Sequence, residues 1–145
     1  RMLRAFRCAA ELKFSIEPGT LAQIKKDAAL IKKPAGERIK EELDRLLAVP
    51  GVFYKFLLQM DECGLLTALF PKLEAQRGCA EIYYGTGGVF KHTLLVCKRM
   101  DYLLEHLDKA FPKYAERLQL FVVNKPLYKM AALLDQLEHG KHCFG

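Results

Sequence analysis

Residues 37–62 read Glu-Arg-Ile-Lys-Glu-Glu-Leu-Asp-Arg-Leu-Leu-Ala-Val-Pro-Gly-Val-Phe-Tyr-Lys-Phe-Leu-Leu-Gln-Met-Asp-Glu, and the period of their apolar residues decides the fold. Ile39, Leu43, Leu46 and Leu47 recur at three- and four-residue intervals, which predicts a helix from about Glu37 to Ala48 with one buried stripe. Glu37 puts an acid in its first turn, where a carboxylate suits the helix dipole. Val49-Pro50-Gly51 is a turn signal. Val52, Phe53, Phe56, Leu57 and Met60 then line a second helix, with Gly64 placed to cap it. Two amphipathic helices joined by a tight turn fix the class as all-α.

Working outward, the same period continues in both directions. Met2 to Leu12 puts Leu3, Phe6 and Ala10 on one face and Arg4, Arg7 and Glu11 on another, with Arg7 and Glu11 one turn apart. Glu17-Pro18 opens a helix whose inner face is Leu21, Ile24, Ala28 and Ile31, and Pro34-Ala35-Gly36 breaks it. Leu65 to Phe70 reads as a short helix ended by Pro71. Beyond Phe90, His92 to Leu107 (with Leu95, Met100, Leu103 and Leu107 among its apolar positions), Phe111 to Val123, and a last stripe of Leu127, Met130, Ala131 and Leu134 read as further helices. Asn124-Lys125-Pro126 is a stop-and-restart signal between the last two. Glu81 to Tyr84 is too short for a strand. The expectation is an all-α protein of about seven or eight helices with no sheet. Residues 74–90, with Gly78, Gly85, Gly87 and Gly88 and no helical period, read as an irregular connector between residues 1–73 and residues 91–145.

Composition sets wider bounds. The chain has 145 residues, 51% of them hydrophobic, enough for a buried core and too many for a disordered tail. No run approaches the ~20 apolar residues that span a bilayer. A secretory signal pattern is missing, and the five cysteines (Cys8, Cys63, Cys79, Cys97 and Cys143) form no C-x-x-C pair, which reads as reduced thiols in a cytoplasmic protein. The first residue is Arg and an apolar helical pattern stops near the other end, so the sequence reads as a fragment of a longer protein. Net charge is +6. Residues 1–47 hold 11 Lys or Arg against 7 Asp or Glu, while residues 48–145 hold 12 against 10. The basic excess therefore concentrates in the first third, as a polyanionic partner would favour. Lys25, Lys26, Lys32 and Lys33 are its densest cluster and the candidate phosphate contacts.

Catalytic signals are sparse. Ser15 is the single serine, no D-x-D pair is available to hold catalytic magnesium, and Gly85-Thr86-Gly87-Gly88 lacks the Lys-Ser/Thr ending of a phosphate loop. No catalytic residue is assigned. His139, His142 and Cys143 are closely spaced but form no finger-like set.

Three segments in order carry a resemblance. Arg1-Met2-Leu3-Arg4-Ala5-Phe6-Arg7-Cys8-Ala9-Ala10-Glu11-Leu12, with Phe14, Ile16-Glu17-Pro18 and Thr20-Leu21, resembles the stretch that follows the catalytic palm in the tRNA nucleotidyltransferase/poly(A) polymerase family. Glu37-Arg38-Ile39-Lys40-Glu41-Glu42-Leu43 is similar to that family's neck motif E-R-I-x-x-E-L. Gly64-Leu65-Leu66 with Leu69-Phe70-Pro71 is similar to its G-L-L…F-P body element. Phe90-Lys91-His92-Thr93-Leu94 resembles the opening of the HD domain that many members carry. Where that domain's His-Asp pair would fall, this chain reads Asp135-Gln136, so His92 alone matches its metal set.

The resemblance implies a neck and body region over residues 1–73, which binds RNA, and an incomplete HD-like region over 91–145. It implies that a palm lying upstream uses magnesium and ATP or CTP to extend the 3′ end of an RNA, above all a tRNA. This chain itself would need no cofactor. Arg1 matches the final Arg of the family's E-D-x-x-R motif, which reads the incoming base; without the carboxylate partner it would be neither oriented nor paired. Arg4 is the second candidate nucleotide contact, with bracing of the neck helices as its alternative. Glu37 and Arg38 carry the neck motif. Two other functions stay open at this point: a free-standing helical interaction module, and a divergent HD-type phosphohydrolase centred on His92.

Overall fold

The structure is a computed structural model, and it describes residues 1–32 and 35–135. Among these residues there are ten α-helices, two short 3₁₀ segments and no strand. The helices are α1 (Met2–Leu12), α2 (Pro18–Asp27), α3 (Gly36–Ala48), α4 (Phe53–Glu62), α5 (Leu65–Leu69), α6 (Glu81–Tyr84), α7 (Gly88–Glu105), α8 (Leu107–Ala110), α9 (Ala115–Phe121) and α10 (Lys125–Leu134). The all-α expectation holds, and the count exceeds it for two local reasons. Glu81–Tyr84 forms a single helical turn, and the stretch after Glu105 breaks at His106 and Phe111 into the short α8 and α9.

The helix ends follow the sequence signals. Lys13 closes α1 in the left-handed conformation, and Phe14 N–H donates back to Ala9 O at 2.9 Å. Gly64, at φ 71°, turns the chain from α4 into α5. Asn124 caps α10 by accepting from Leu127 N–H at 3.2 Å.

One continuous core joins these elements. Leu3, Phe6, Ile24, Ile31, Leu43, Leu46, Leu47, Phe53, Phe56, Leu57 and Met60 are all buried in it, as their spacing predicts. The Phe6 and Phe56 rings meet edge to face, 6.1 Å between centroids at 89°. Leu73, Phe90, Leu94, Cys97, Ala132 and Leu133 belong to the same cluster, so apolar packing continues across residues 74–90. That segment is also more built than its glycine content suggests. The 3₁₀ segment Pro71–Gln76 buries Leu73 and Gln76, and the Thr93 hydroxyl donates to Val89 O at 3.0 Å and to Gln76 Oε1 at 3.4 Å. Arg77 pairs with Asp61 and Glu74 and lies 4.0 Å over the Phe90 ring. Gly88 opens α7 three residues earlier than residue 91, because Val89 N–H donates to Cys79 O at 3.0 Å and the backbones come so close that a Cβ on Gly88 would sit 2.3 Å from that oxygen.

Two faces differ from their sequence reading. In α7 the buried face is Phe90, Thr93, Leu94, Cys97, Asp101 and Leu104, while Leu95 is 40% exposed. In α10 the buried residues are Lys129, Ala132 and Leu133; Leu127 and Ala131 face solvent, and Met130 and Leu134 flank the core. Asp101 and Lys129 are polar residues on core faces, and each compensates the other: Lys129 Nζ lies 2.8 Å from Asp101 Oδ1, with side chains 0% and 7% exposed. Cys8, Cys63 and Cys97 are free thiols.

Candidate nucleic-acid interface

The α1 and α3 helices pack side by side with their charged faces touching. Arg4, Arg7 and Glu11 recur at helical spacing on α1, as do Arg38, Glu42 and Arg45 on α3. Arg7 Nε donates to Glu42 Oε2 at 2.7 Å, and Arg4 Nε reaches Glu42 Oε1 at 3.3 Å. Arg7 Nη1 donates to Glu11 Oε2 at 2.6 Å, and Arg45 Nη2 to Glu11 Oε1 at 3.2 Å. Glu42 and Glu11 thus each bridge two arginines across the helix pair. The Arg7 hydrogen bond holds the Glu42 carboxyl below its ordinary value, and the same bond raises the Arg7 guanidinium. Arg7 is therefore a brace between the helices. Arg4 has the same Glu42 partner, but its side chain keeps 66% of its surface exposed.

Between the helices lies an open cleft of about 460 Å³, floored by Leu3, Ile31 and Ile39 and walled by Arg1, Arg4, Arg7, Arg38, Arg45, Glu41 and Glu42. Five cations face two carboxylates, and Glu42 is already committed to Arg4 and Arg7. Arg1 and Arg38 form no ion pair with any described residue, so the cleft presents free guanidinium groups over an apolar floor. Glu37 lies exposed in the first turn of α3. The structure thus brings the sequence candidates Arg1, Arg4 and Arg38 to one cleft, beside the bracing residues Arg7, Glu11, Glu42 and Arg45.

The lysines lie on the next element. Lys25 and Lys26 occupy the last turn of α2, and Lys32 ends the 3₁₀ segment Ala28–Lys32 that follows it. All three are exposed, and none forms an ion pair with another described residue. Lys33 lies outside the described residues, as do His139, His142 and Cys143. His92 is half-buried in α7 with its ring 4.7 Å from that of Tyr84. No group of three His, Cys, Asp or Glu residues that could hold a metal occurs among the described residues. Nor is any described helix long and apolar enough to cross a membrane.

Comparison with known proteins gives this geometry a context. Residues 13–77, from the end of α1 to just past the 3₁₀ segment after α5, match the family described as "Probable RNA and SrmB- binding site of polymerase A". A CC-adding tRNA nucleotidyltransferase of Geobacter sulfurreducens is 29% identical over 135 residues, 93% of this chain and 30% of the relative. A CCA-adding enzyme of Limosilactobacillus fermentum is 57% identical over 47 residues, 32% of this chain and 12% of the relative. Residues 13–77 thus carry the RNA-binding region of the poly(A) polymerase family, and the chain resembles tRNA nucleotidyltransferases. An A-adding tRNA nucleotidyltransferase of Deinococcus radiodurans is also similar, 32% identical over 97 residues, 63% of this chain and 22% of the relative. The chain spans less than a third of the length of these relatives. No solved structure matches it at a significant level. Within the family frame, the E-R-I-x-x-E-L segment is the first turns of α3, and its second Glu, Glu42, is the residue that ties α3 to α1.

Proposed function

We propose that this chain is the RNA-binding and nucleotide-pocket-supporting part of a template-independent nucleotidyltransferase that extends the 3′ end of an RNA, with tRNA as the substrate class. The observation that carries the reading is the α1–α3 cleft, where Arg1, Arg4 and Arg38 project around an apolar floor and whose α3 wall lies inside residues 13–77, the region matching an RNA-binding family. Planar guanidinium forks over an apolar surface suit a nucleotide: the floor takes the base and the forks take acceptor edges or phosphate oxygens. Arg7, Glu11, Glu42 and Arg45 hold the two walls at a fixed spacing, so the cleft is formed before ligand arrives.

The exposed lysines of α2 and its extension supply the second element. They can neutralise backbone phosphates and fix the position of an RNA without reading its sequence. Magnesium and ATP or CTP belong to a palm outside this chain, and no metal-dependent step is placed on residues described here. The relatives' names, CC-adding, CCA-adding and A-adding, favour tRNA over other RNAs. The HD-type phosphohydrolase and the free-standing interaction module gain no comparable support.

The test is tRNA filter binding across a salt series, with Lys25, Lys26, Lys32 and Lys33 reversed to Glu. Each phosphate contact contributes about 0.7 on single strands to about 0.9 on B-form duplexes to the slope of log affinity against log salt. The reversed chain is expected to bind more weakly with a flatter slope. An unchanged slope refutes the lysine contacts.

A further inference from the structure

A second cleft of about 480 Å³ opens on another part of the molecule, between α4 and α7, beside the Pro50-Gly51 turn. Its walls are aromatic. Tyr102 and His106 stack with ring centroids 4.1 Å apart and an interplanar angle of 14°. His106 Nδ1–H donates to Tyr102 O at 2.9 Å, which fixes the imidazole against the phenol ring. Tyr102 nonetheless keeps 58% of its surface exposed. Tyr54 stands across the cleft with Lys98 Nζ 5.3 Å from its ring centre.

The charge balance of this cleft is one-sided. It holds two acids, and both are taken: Asp101 by Lys129 at 2.8 Å and Glu105 by Lys125 at 3.0 Å. Lys55 and Lys98 are exposed and have no acidic partner among the described residues. A preformed ring stack with an open side, flanked by two unpaired ammonium groups, matches the needs of a nucleotide in single-stranded RNA. The base lies on the rings and the adjoining phosphates meet the lysines.

We propose that the α4–α7 cleft seats one unpaired nucleotide of a bound RNA, stacked on the Tyr102–His106 pair and held through its phosphates by Lys55 and Lys98. This rests on the RNA-binding reading above, and adds a contact whose residues are separate from those of the α1–α3 cleft.

The experiment uses a short fluorescein-labelled oligoadenylate, titrated by anisotropy at several salt concentrations, and a parallel oligonucleotide carrying 2-aminopurine. Stacking on the unaltered chain should quench the 2-aminopurine. Tyr102→Ala should weaken binding roughly 5- to 100-fold and remove the quench while leaving the salt slope unchanged, because stacking releases no counterions. Tyr102→Phe should bind as the unaltered chain does. Lys55→Ala with Lys98→Ala should flatten the slope by about 0.7 per lost contact. Because Tyr102 is largely exposed, its variants should keep the parent helical circular dichroism. Unchanged affinity in Tyr102→Ala overturns the seat. So does equal loss in Tyr102→Ala and Tyr102→Phe, or the absence of any quench on the unaltered chain. If the α2 lysine reversal still weakens binding in those cases, the RNA reading stands without this seat. If no RNA binds at all, both readings fall.

Discussion

Replacing Lys129 by Met is the sharpest perturbation of the fold. The ammonium has no exposed surface and sits 2.8 Å from Asp101 Oδ1, itself on a side chain 7% exposed. It also donates to Val49 O at 3.2 Å, while Asp101 Oδ2 accepts from Phe53 N–H at 3.1 Å. Val49 is the C-terminal cap of α3, and Phe53 is the first residue of α4. A cation at one helix C-terminus and an anion at the next N-terminus satisfy orphan backbone groups and complement both dipoles. The pair therefore ties α10 and α7 to the α3–α4 turn. Methionine keeps the volume but leaves the Asp101 carboxylate buried beside one N–H donor. Breaking a buried pair from one side costs about 3–5 kcal/mol, a large part of the ~5–15 kcal/mol that stabilises a domain. At ~2–4 °C per kcal/mol for a chain of this size, the thermal midpoint should fall by roughly 10 °C. Urea unfolding followed by helical circular dichroism reads the loss. The double variant Lys129→Met with Asp101→Asn retains an acceptor for Phe53 N–H and removes both charges. It should return to within about 1 kcal/mol of the parent. A single variant within 1 kcal/mol of the parent, or a double variant as unstable as the summed singles, would refute the reasoning.

Three further outcomes follow from other sites. Gly88→Ala places a Cβ 2.3 Å from Cys79 O at a φ of +56°, so it should lose about 2 kcal/mol or more in the same urea assay; parent-like stability would mean the close approach is not needed. Arg7 lowers the Glu42 carboxyl below its ordinary value near 4.5, so this pair's contribution is present above 4.5 and lost as pH falls through the lower folded value. The stability gap between the parent and Glu42→Gln, about 1 kcal/mol at neutral pH, should therefore shrink in acid titration, and a gap constant with pH contradicts it. Burial pushes the Cys97 thiol up to about 12 and raises Cys63 as well, so both should resist alkylation at pH 8 until urea unfolds the chain; rapid native labelling of Cys97 would contradict its packing.

What could be read from the sequence depended on how local the determining physics is. The stripes Leu3-Phe6-Ala10 and Leu43-Leu46-Leu47 repeat every turn, so burial follows from spacing alone, and both are buried. The α10 stripe failed because its buried centre is a lysine, whose place in the core depends on an aspartate 28 positions earlier in the chain. No window around Lys129 contains that information. The one available signal is that Lys129 lies one turn before Ala132 and Leu133. The Gly78–Gly88 stretch failed differently. Gly88 marks a tight backbone crossing over Cys79, but glycine-rich sequence reads equally as a linker. For the site, Arg7–Glu11 was legible as an i,i+4 pair, whereas the bridges to Glu42 and Arg45 needed the packing of α1 on α3. The Tyr102–His106 platform was legible in principle as an i,i+4 aromatic pair. What distinguishes it, the commitment of Asp101 and Glu105 to other partners, is tertiary.

If the proposed function is right, this chain binds RNA through phosphate contacts on its own surface. Equilibrium binding of a tRNA lacking its 3′ CCA, measured from about 50 to 200 mM salt, tests it most directly. Saturable binding is expected, with log affinity falling linearly with log salt at a slope of several units that the lysine reversal reduces. Absence of saturable tRNA binding at the lowest salt, or an affinity that does not change across the series, would contradict it.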